Sequence, residues 1–450
     1  MSDLLWPGDG RAGEICTDAS VLAAMLRVES AWIDTDLSAL AGPGDLPALA
    51  EAAEEGGNPV IPLLALLRSR CDDKRLHLGL TSQDVLDTAL VLCLSSAAAS
   101  LISSLGEHVA VLADLTDRHR HTDMAGRTLT QHAVPITFGL KVSTWLQGVL
   151  DARDALAAAT LPIQIGGAAG SLAAIVAIEG SPDLAVARIA ATAARLGLPL
   201  REPWHTGRAP LTRFGDALVT CTDAWGRIAN DVLLLTRPEI GELSLAQGGG
   251  SSAMPNKRNP TLAVLVRRAA LAGPPLAATL HTAAANMVDE RPDGAWHVEW
   301  ATVRTLSRRT VVAGSQTTDM LAGLRVDPRR MAATLDAARP GIDAEQRKYA
   351  SSSANSSGAN SSGAGSSGAG SSHGAGSSGA GSSHGAGSSG AGSSHGAGSS
   401  GAGPSRGAGS SGAGPSRGAG SSGAGPSRGS GSYRGATDQI IDAVLARAGE

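Results

Sequence analysis

Residues 216–236 constrain this chain more tightly than any other stretch. There Leu218, Cys221, Trp225, Ile228, Val232 and Leu235 recur at alternating spacings of three and four. Only an α-helix gathers that series on one side. About 20 residues make a helix roughly 30 Å long, and a seam of that length must pack against other long helices. Val142, Trp145, Leu146, Val149 and Leu150 repeat the pattern, and so do Leu22, Met25, Leu26, Val28, Trp32 and Leu37. Another helix is expected after the polar turn Thr81-Ser82-Gln83-Asp84, with Thr81 or Ser82 as its cap. Aromatic residues are only 2% of the chain, and alternating strand-like runs are hard to find. The expected fold class is therefore all-α, a bundle of long helices with a small helical N-terminal domain.

One stretch is different in kind. Residues 351–432 are almost wholly Gly, Ser and Ala, in eleven-residue repeats that carry His373, His384 and His395 and then Arg406, Arg417 and Arg428. Such a chain cannot bury apolar surface and reads as a flexible tract. Its isolated imidazoles are not preorganised for a metal. Ile440, Ile441, Val444 and Leu445 restore a helical stripe that should dock back. The expected division is an N-terminal domain over 1–105, a central bundle over 106–348, the tract over 349–432 and a short helix over 433–450.

The net charge of −4 comes without a basic cluster, so nucleic acid and anionic membranes are poor partners. Cys16, Cys71, Cys93 and Cys221 show no metal-binding spacing, and Cys93 and Cys221 read as small buried hydrophobes. No leader is evident, nor an 18-residue apolar run, which implies a cytoplasmic protein with no membrane partner.

The chemistry concentrates in Gly248-Gly249-Gly250-Ser251-Ser252-Ala253-Met254-Pro255-Asn256-Lys257-Arg258-Asn259-Pro260. Glycine hinges with stiffening prolines suit a loop that opens and closes around substrate. A serine hydroxyl near Lys257 and Asn259, away from water, can hold its alkoxide long enough to take a proton.

This loop resembles the G-S-S-x-M-P-x-K-x-N-P signature of the fumarase/aspartase superfamily at every fixed position. His77-Leu78-Gly79-Leu80-Thr81-Ser82-Gln83-Asp84 and Gly126-Arg127-Thr128-Leu129-Thr130-Gln131-His132-Ala133 resemble two further superfamily regions, in the same order. The resemblance implies a cofactor-independent homotetramer without a metal, whose composite sites draw these three stretches from different subunits. It implies Ser251 as the proton-transferring group, with Lys257 and Asn259 binding a substrate carboxylate. Thr81, Ser82, Thr128 and Gln131 would line the site. Within the superfamily, residues 57–68, 77–90, 163–174, 203–208 and 290–300 most resemble the bacterial 3-carboxy-cis,cis-muconate cycloisomerases. That likeness implies lactonisation of a small tricarboxylate in protocatechuate catabolism.

One departure from the lyases supports that choice. Where they carry Thr-His, this chain has Thr128-Leu129, and residues 261–280 contain no Asp or Glu. The acid that would protonate a leaving amine, and the carboxylate that would orient it, are missing together. A carboxylate leaves unaided, since its pKa is about 4, so Ser251 plus cations suffices. The candidate cations are Lys257, Arg208 and Arg291. Each also has a plainer reading: Arg208 as a lone surface arginine, and Arg291 as a partner of Glu290 or Glu299. His77 and His132 read as packing or hydrogen-bonding groups, and Trp296 and Trp300 as core. The competing functions are a fumarate-releasing lyase such as adenylosuccinate lyase, and an inactive scaffold.

Overall fold

The computed structural model of the chain describes residues 3–246, 248–342, 344, 348 and 434–450. The eleven-residue repeats lie outside the described residues. Met1–Arg347 and Ser432–Glu450 form one compact unit. Among the described residues there are twelve α-helices and two two-stranded antiparallel sheets, of which one is a hairpin.

Three helices open the chain: α1 (Asp18–Ile33), α2 (Leu46–Gly56) and α3 (Val60–Arg70). The bundle proper is built from α4 (Ser82–Arg118), α5 (Phe138–Ala158), α8 (Ala209–Leu235), α9 (Thr261–Ala285) and α10 (Gly294–Ala322), with short α6 (Ala173–Glu179) and α7 (Pro182–Leu196) between α5 and α8. Every residue of the seam read from the sequence, from Leu218 to Leu235 on α8, is buried, as are Val142, Trp145, Leu146, Val149 and Leu150 on α5. Helix α8 packs on α9 and α5, and α10 packs on α9 and α4.

Helix α4 corrects two expectations. It runs unbroken through residue 105, so no domain boundary falls there. It also contains an 18-residue window of mean hydropathy 1.9, an apolar run long enough to cross a membrane. Two thirds of that window (67%) is buried inside the fold, and α4 is the core helix on which α1, α5 and α10 pack.

The strands were not legible in the sequence. Strands β1 (Asp123–Thr128) and β2 (Gln131–Thr137) pair antiparallel between α4 and α5, with a bulge between Ala125 and Arg127. Strand β3 (Leu243–Leu245), which leads into the glycine-serine loop, pairs with β4 (Leu324–Val326), ahead of α11 (Pro328–Ile342). The C-terminal helix α12 (Thr437–Ala448) does dock back: it packs on α4 and α5, with Arg447 paired to Asp151 and Asp154.

Three helices begin around one buried ion cluster. Arg208, the residue before α8, donates to Asp87 of α4 at 2.7 Å and to Glu299 of α10 at 2.6 Å, and all three side chains are fully buried. Trp296 adds its ring N–H to Asp87 at 2.8 Å. Burial opposes the charge on Arg208, but Asp87 and Glu299 together outweigh it and raise its pKa. Glu299 shares its only cation with Asp87, so burial wins there and its pKa is raised.

Removing the cation would strand two buried carboxylates, so Arg208→Leu is expected to cost about 3–5 kcal/mol by urea unfolding. Glu299 binds its proton more tightly folded than unfolded. Its contribution to stability is full below the ordinary glutamate value of about 4.3 and is lost as pH rises through the raised value. Glu299→Gln should flatten the stability curve over that interval.

Candidate active site

The glycine-serine loop is closed on itself. Gly249 and Asn259 exchange both backbone hydrogen bonds, each 2.9 Å, and the Asn259 side-chain amide donates to the Gly250 carbonyl at 3.1 Å. No β-carbon fits at Gly249, where it would lie 2.0 Å from Thr261 Oγ1. Within this ring Ser251 is half-buried, and its Oγ accepts the backbone N–H of Ala253 at 3.3 Å and of Met254 at 3.0 Å. Two donors aimed at one hydroxyl oxygen favour its anionic form. These backbone amides, rather than the side chains of Lys257 or Asn259, are the donors that touch Ser251. Lys257 is exposed, and its ammonium has no partner among the described residues. Helix α9 starts directly after the loop, and its sequence contains neither Asp nor Glu.

The hairpin lies at the same end of the bundle. Arg127 of β1 makes a bidentate pair with the fully buried Glu242, at 3.0 and 2.7 Å, immediately before β3. This pair fixes the hairpin beside the strand that feeds the loop. Thr128 and Gln131 face each other across the turn, and both are exposed. The turn itself is Leu129-Thr130, with φ of 46° and 67°. Both values are in the left-handed region that a two-residue hairpin turn requires, and here no glycine or asparagine supplies it. Leu129 is 95% exposed, in the place where the lyases carry their histidine. His132 is also exposed.

Thr81 and Ser82 sit at the opposite end of α4. Thr81 is the N-cap and is buried, while Ser82 is half-buried in the first turn. Their setting is built around Asp84, which is fully buried. Its carboxylate accepts the backbone N–H of Thr81 (2.9 Å), Gly166 (2.8 Å) and Gly167 (3.0 Å), and lies 3.0 Å from His205 Nε2. Nearby, the Thr88 hydroxyl donates to the Gln164 carbonyl and accepts the Gln164 backbone N–H, and the Gln164 side-chain carbonyl accepts the Trp204 backbone N–H. The stretches Ile163–Ala174 and Pro203–Arg208 thus serve to hold the start of α4. His77 pairs with buried Glu29 at 2.6 Å.

Arg208 corrects the sequence reading. Its guanidinium is enclosed and saturated by Asp87 and Glu299, so it is a structural cation with no face left for substrate. Arg291 is exposed three residues before α10, and it makes neither of the ion pairs suggested for it, Glu299 being taken by Arg208. Trp296 is core, as expected, although its N–H also serves Asp87, and Trp300 is only half-buried.

The candidate residues therefore fall into two separate groups. Thr81, Ser82 and Arg291 lie where α4 and α10 begin. Ser251, Lys257, Asn259, Thr128 and Gln131 lie where α4 ends, and its 37 residues span about 55 Å. Among the described residues, no hydrogen bond or ion pair joins the two groups.

Comparison with known proteins identifies the family. The lyase family model matches residues 58–272. The chain is 41% identical to a nitrosuccinate lyase of Streptomyces davaonensis, over 71% of this chain and 73% of that protein. It is 38% identical to a 3-carboxy-cis,cis-muconate cycloisomerase of Bradyrhizobium diazoefficiens, over 74% and 79% of the two chains. The crystal structure of the 3-carboxy-cis,cis-muconate lactonizing enzyme of Pseudomonas putida superposes with a TM-score of 0.67 at 32% identity, covering 76% of this chain and 80% of that one.

The closed loop makes a direct prediction. Gly249→Ala should open the Gly249–Asn259 pairing and reduce turnover by up to about 10²-fold, the loss a 1 Å misplacement of a reacting group can cause. The thermal midpoint should barely move, because the loop carries little core. Turnover within about twofold of wild type would show that the ring is not needed.

Proposed function

The chain belongs to the fumarase/aspartase superfamily, and on that premise we propose that it moves a proton at a carbon next to a carboxylate while a neighbouring anion adds or leaves. The observation that carries this reading is the Ser251 hydroxyl receiving two backbone N–H groups, beside a helix without carboxylates and a hairpin tip occupied by Leu129. The loop supplies one group for proton transfer, and nothing at the tip supplies an acid for the leaving group.

The substrate we assign is 3-carboxy-cis,cis-muconate. Its carboxylate adds across the conjugated double bond to close a lactone, and a proton goes to the neighbouring carbon. In reverse, Ser251 as alkoxide removes that proton and the ring carboxylate departs as a stable anion. The developing enolate charge needs cations, for which Lys257 and Arg291 are the exposed candidates. Preorganised donors at such a charge are commonly the largest single contribution to rate.

A second reading is favoured by the likeness to a nitrosuccinate lyase. Elimination from nitrosuccinate would expel nitrite, the anion of an acid about as strong as a carboxylic acid. It too leaves without help. The same leaving-group logic disfavours an amine-releasing lyase, and it unites the two readings as one class of chemistry.

The two groups of residues, as half-sites, support an active site formed between copies of the chain, four of them by resemblance. Ser251 and Lys257 would come from one copy and Thr81 and Ser82 from another.

Purified protein assayed with 3-carboxymuconate, nitrosuccinate and adenylosuccinate separates these readings. Lactonisation supports the first, fumarate and nitrite from nitrosuccinate the second. Cleavage of adenylosuccinate, or no turnover of any, would sink the proposal. In the active case Ser251→Ala should lower kcat by about 10²–10⁴-fold. Co-refolding Ser251→Ala with Ser82→Ala should recover part of the activity that each lacks alone, and no recovery would argue against a shared site.

A further inference from the structure

Far from the loop, two of the four cysteines meet. Cys16 immediately precedes the N-cap of α1, and Cys93 lies in α4, on which α1 packs. Both are free thiols that line one cleft, and each shifts the ionisation of the other. They are only 1% and 5% exposed to the surface at large, yet both line an open cleft of about 320 Å³, together with Glu14, Ser20, Arg27 and Ser96. Cys16 also has a φ of 54°, a left-handed conformation unusual for a side-chain-bearing residue. Cysteine packed as an inert hydrophobe needs neither a thiol partner nor an opening. Cys221 shows that plainer case: fully buried without a thiol partner, it has its pKa pushed up to about 12 by burial.

We propose that Cys16 and Cys93 form a dithiol site that accepts a low-molecular-weight disulfide from the cleft and closes to a protein disulfide. The Cys93 thiolate attacks one sulfur of the incoming disulfide, forming a mixed disulfide and expelling the first small thiolate. Cys16 gives up its proton, attacks Cys93 Sγ, and expels the second. Two protein thiols are oxidised, and one small disulfide is reduced to two thiols.

The electrostatics assign the order of attack. The neighbouring Cys16 lowers the Cys93 thiol, with help from Ser20, Arg27 and Arg304, whereas Cys16 is raised by Cys93 and by burial. Of the other charged groups facing the pair, Arg304 and Arg308 reach it from α10 but are already paired with Asp18 and Asp9, and Glu14 lines the cleft. A thiolate is the nucleophile in exchange, so the lower thiol acts first. The site is independent of the proton chemistry proposed for Ser251.

The test uses the full chain with glutathione disulfide as the probe. Wild type should give one cross-linked peptide joining Cys16 to Cys93, two hydrogens lighter than the two reduced peptides together and reversed by dithiothreitol. Cys16→Ser should stop at one glutathione on Cys93, and Cys93→Ser should leave Cys16 unmodified. Recovery of Cys16 and Cys93 as free thiols after half-exposed Cys71 has reacted would overturn the proposal. So would an unmodified Cys93 in Cys16→Ser. If a variant does not fold, the wild-type peptide map decides by itself.

Discussion

Arg208 is where the bundle is bolted together. A cation held in common by Asp87 and Glu299 joins the beginnings of α4, α8 and α10 at a fully buried point. Breaking such a cluster leaves unpaired charge in a low dielectric, which costs far more than the pair contributes when intact. The long helices have no freedom to slide past it. Six residues before Asp87, Thr81 caps α4, and its neighbours are set by a second buried carboxylate, Asp84. The position of one half-site thus follows from the packing of polar groups that never touch substrate.

At the far end of the same helix the logic repeats with different parts. Glu242 holds Arg127, and through it a hairpin whose tip is backbone-strained and apolar. Exposed positions with left-handed φ and a large side chain are costly, and they persist where the surroundings impose them. A rigid helix of 37 residues cannot fold its own two ends together. The separation of the half-sites is therefore a geometric consequence of the bundle, and it is the physical reason for assigning the site to more than one copy of the chain.

Much of this was legible in the sequence. The seam on α8 and the stripe on α5 are periodic, and periodicity reports burial directly. The loop was legible because its residue types are unusual together. The hairpin was not, since Leu129-Thr130 carries none of the glycine or asparagine that marks a two-residue turn. Nor was the role of Arg208, whose partners lie 121 and 91 residues away. The cap at Thr81 could be anticipated from Asp84 three residues on, but not the way Gly166, Gly167 and His205 converge on that carboxylate. The contact between Cys16 and Cys93 was hidden for the same reason. Local pattern reveals elements, while long-range charge and thiol pairing emerge only when the elements pack.

The central claim is that the site transfers a proton through one serine and expels its anion without an acid. The pH dependence of kcat/KM on whichever substrate is turned over tests it most directly, because that profile reports the essential acid and base of the free enzyme. For elimination, where Ser251 must be deprotonated, the predicted profile rises to a plateau; for lactonisation, where Ser251 must carry the proton, it falls only at high pH; neither has a descending limb in the histidine range near 6.5. A bell with its falling limb in that range, abolished by replacing His132, would reveal an acid and contradict the account.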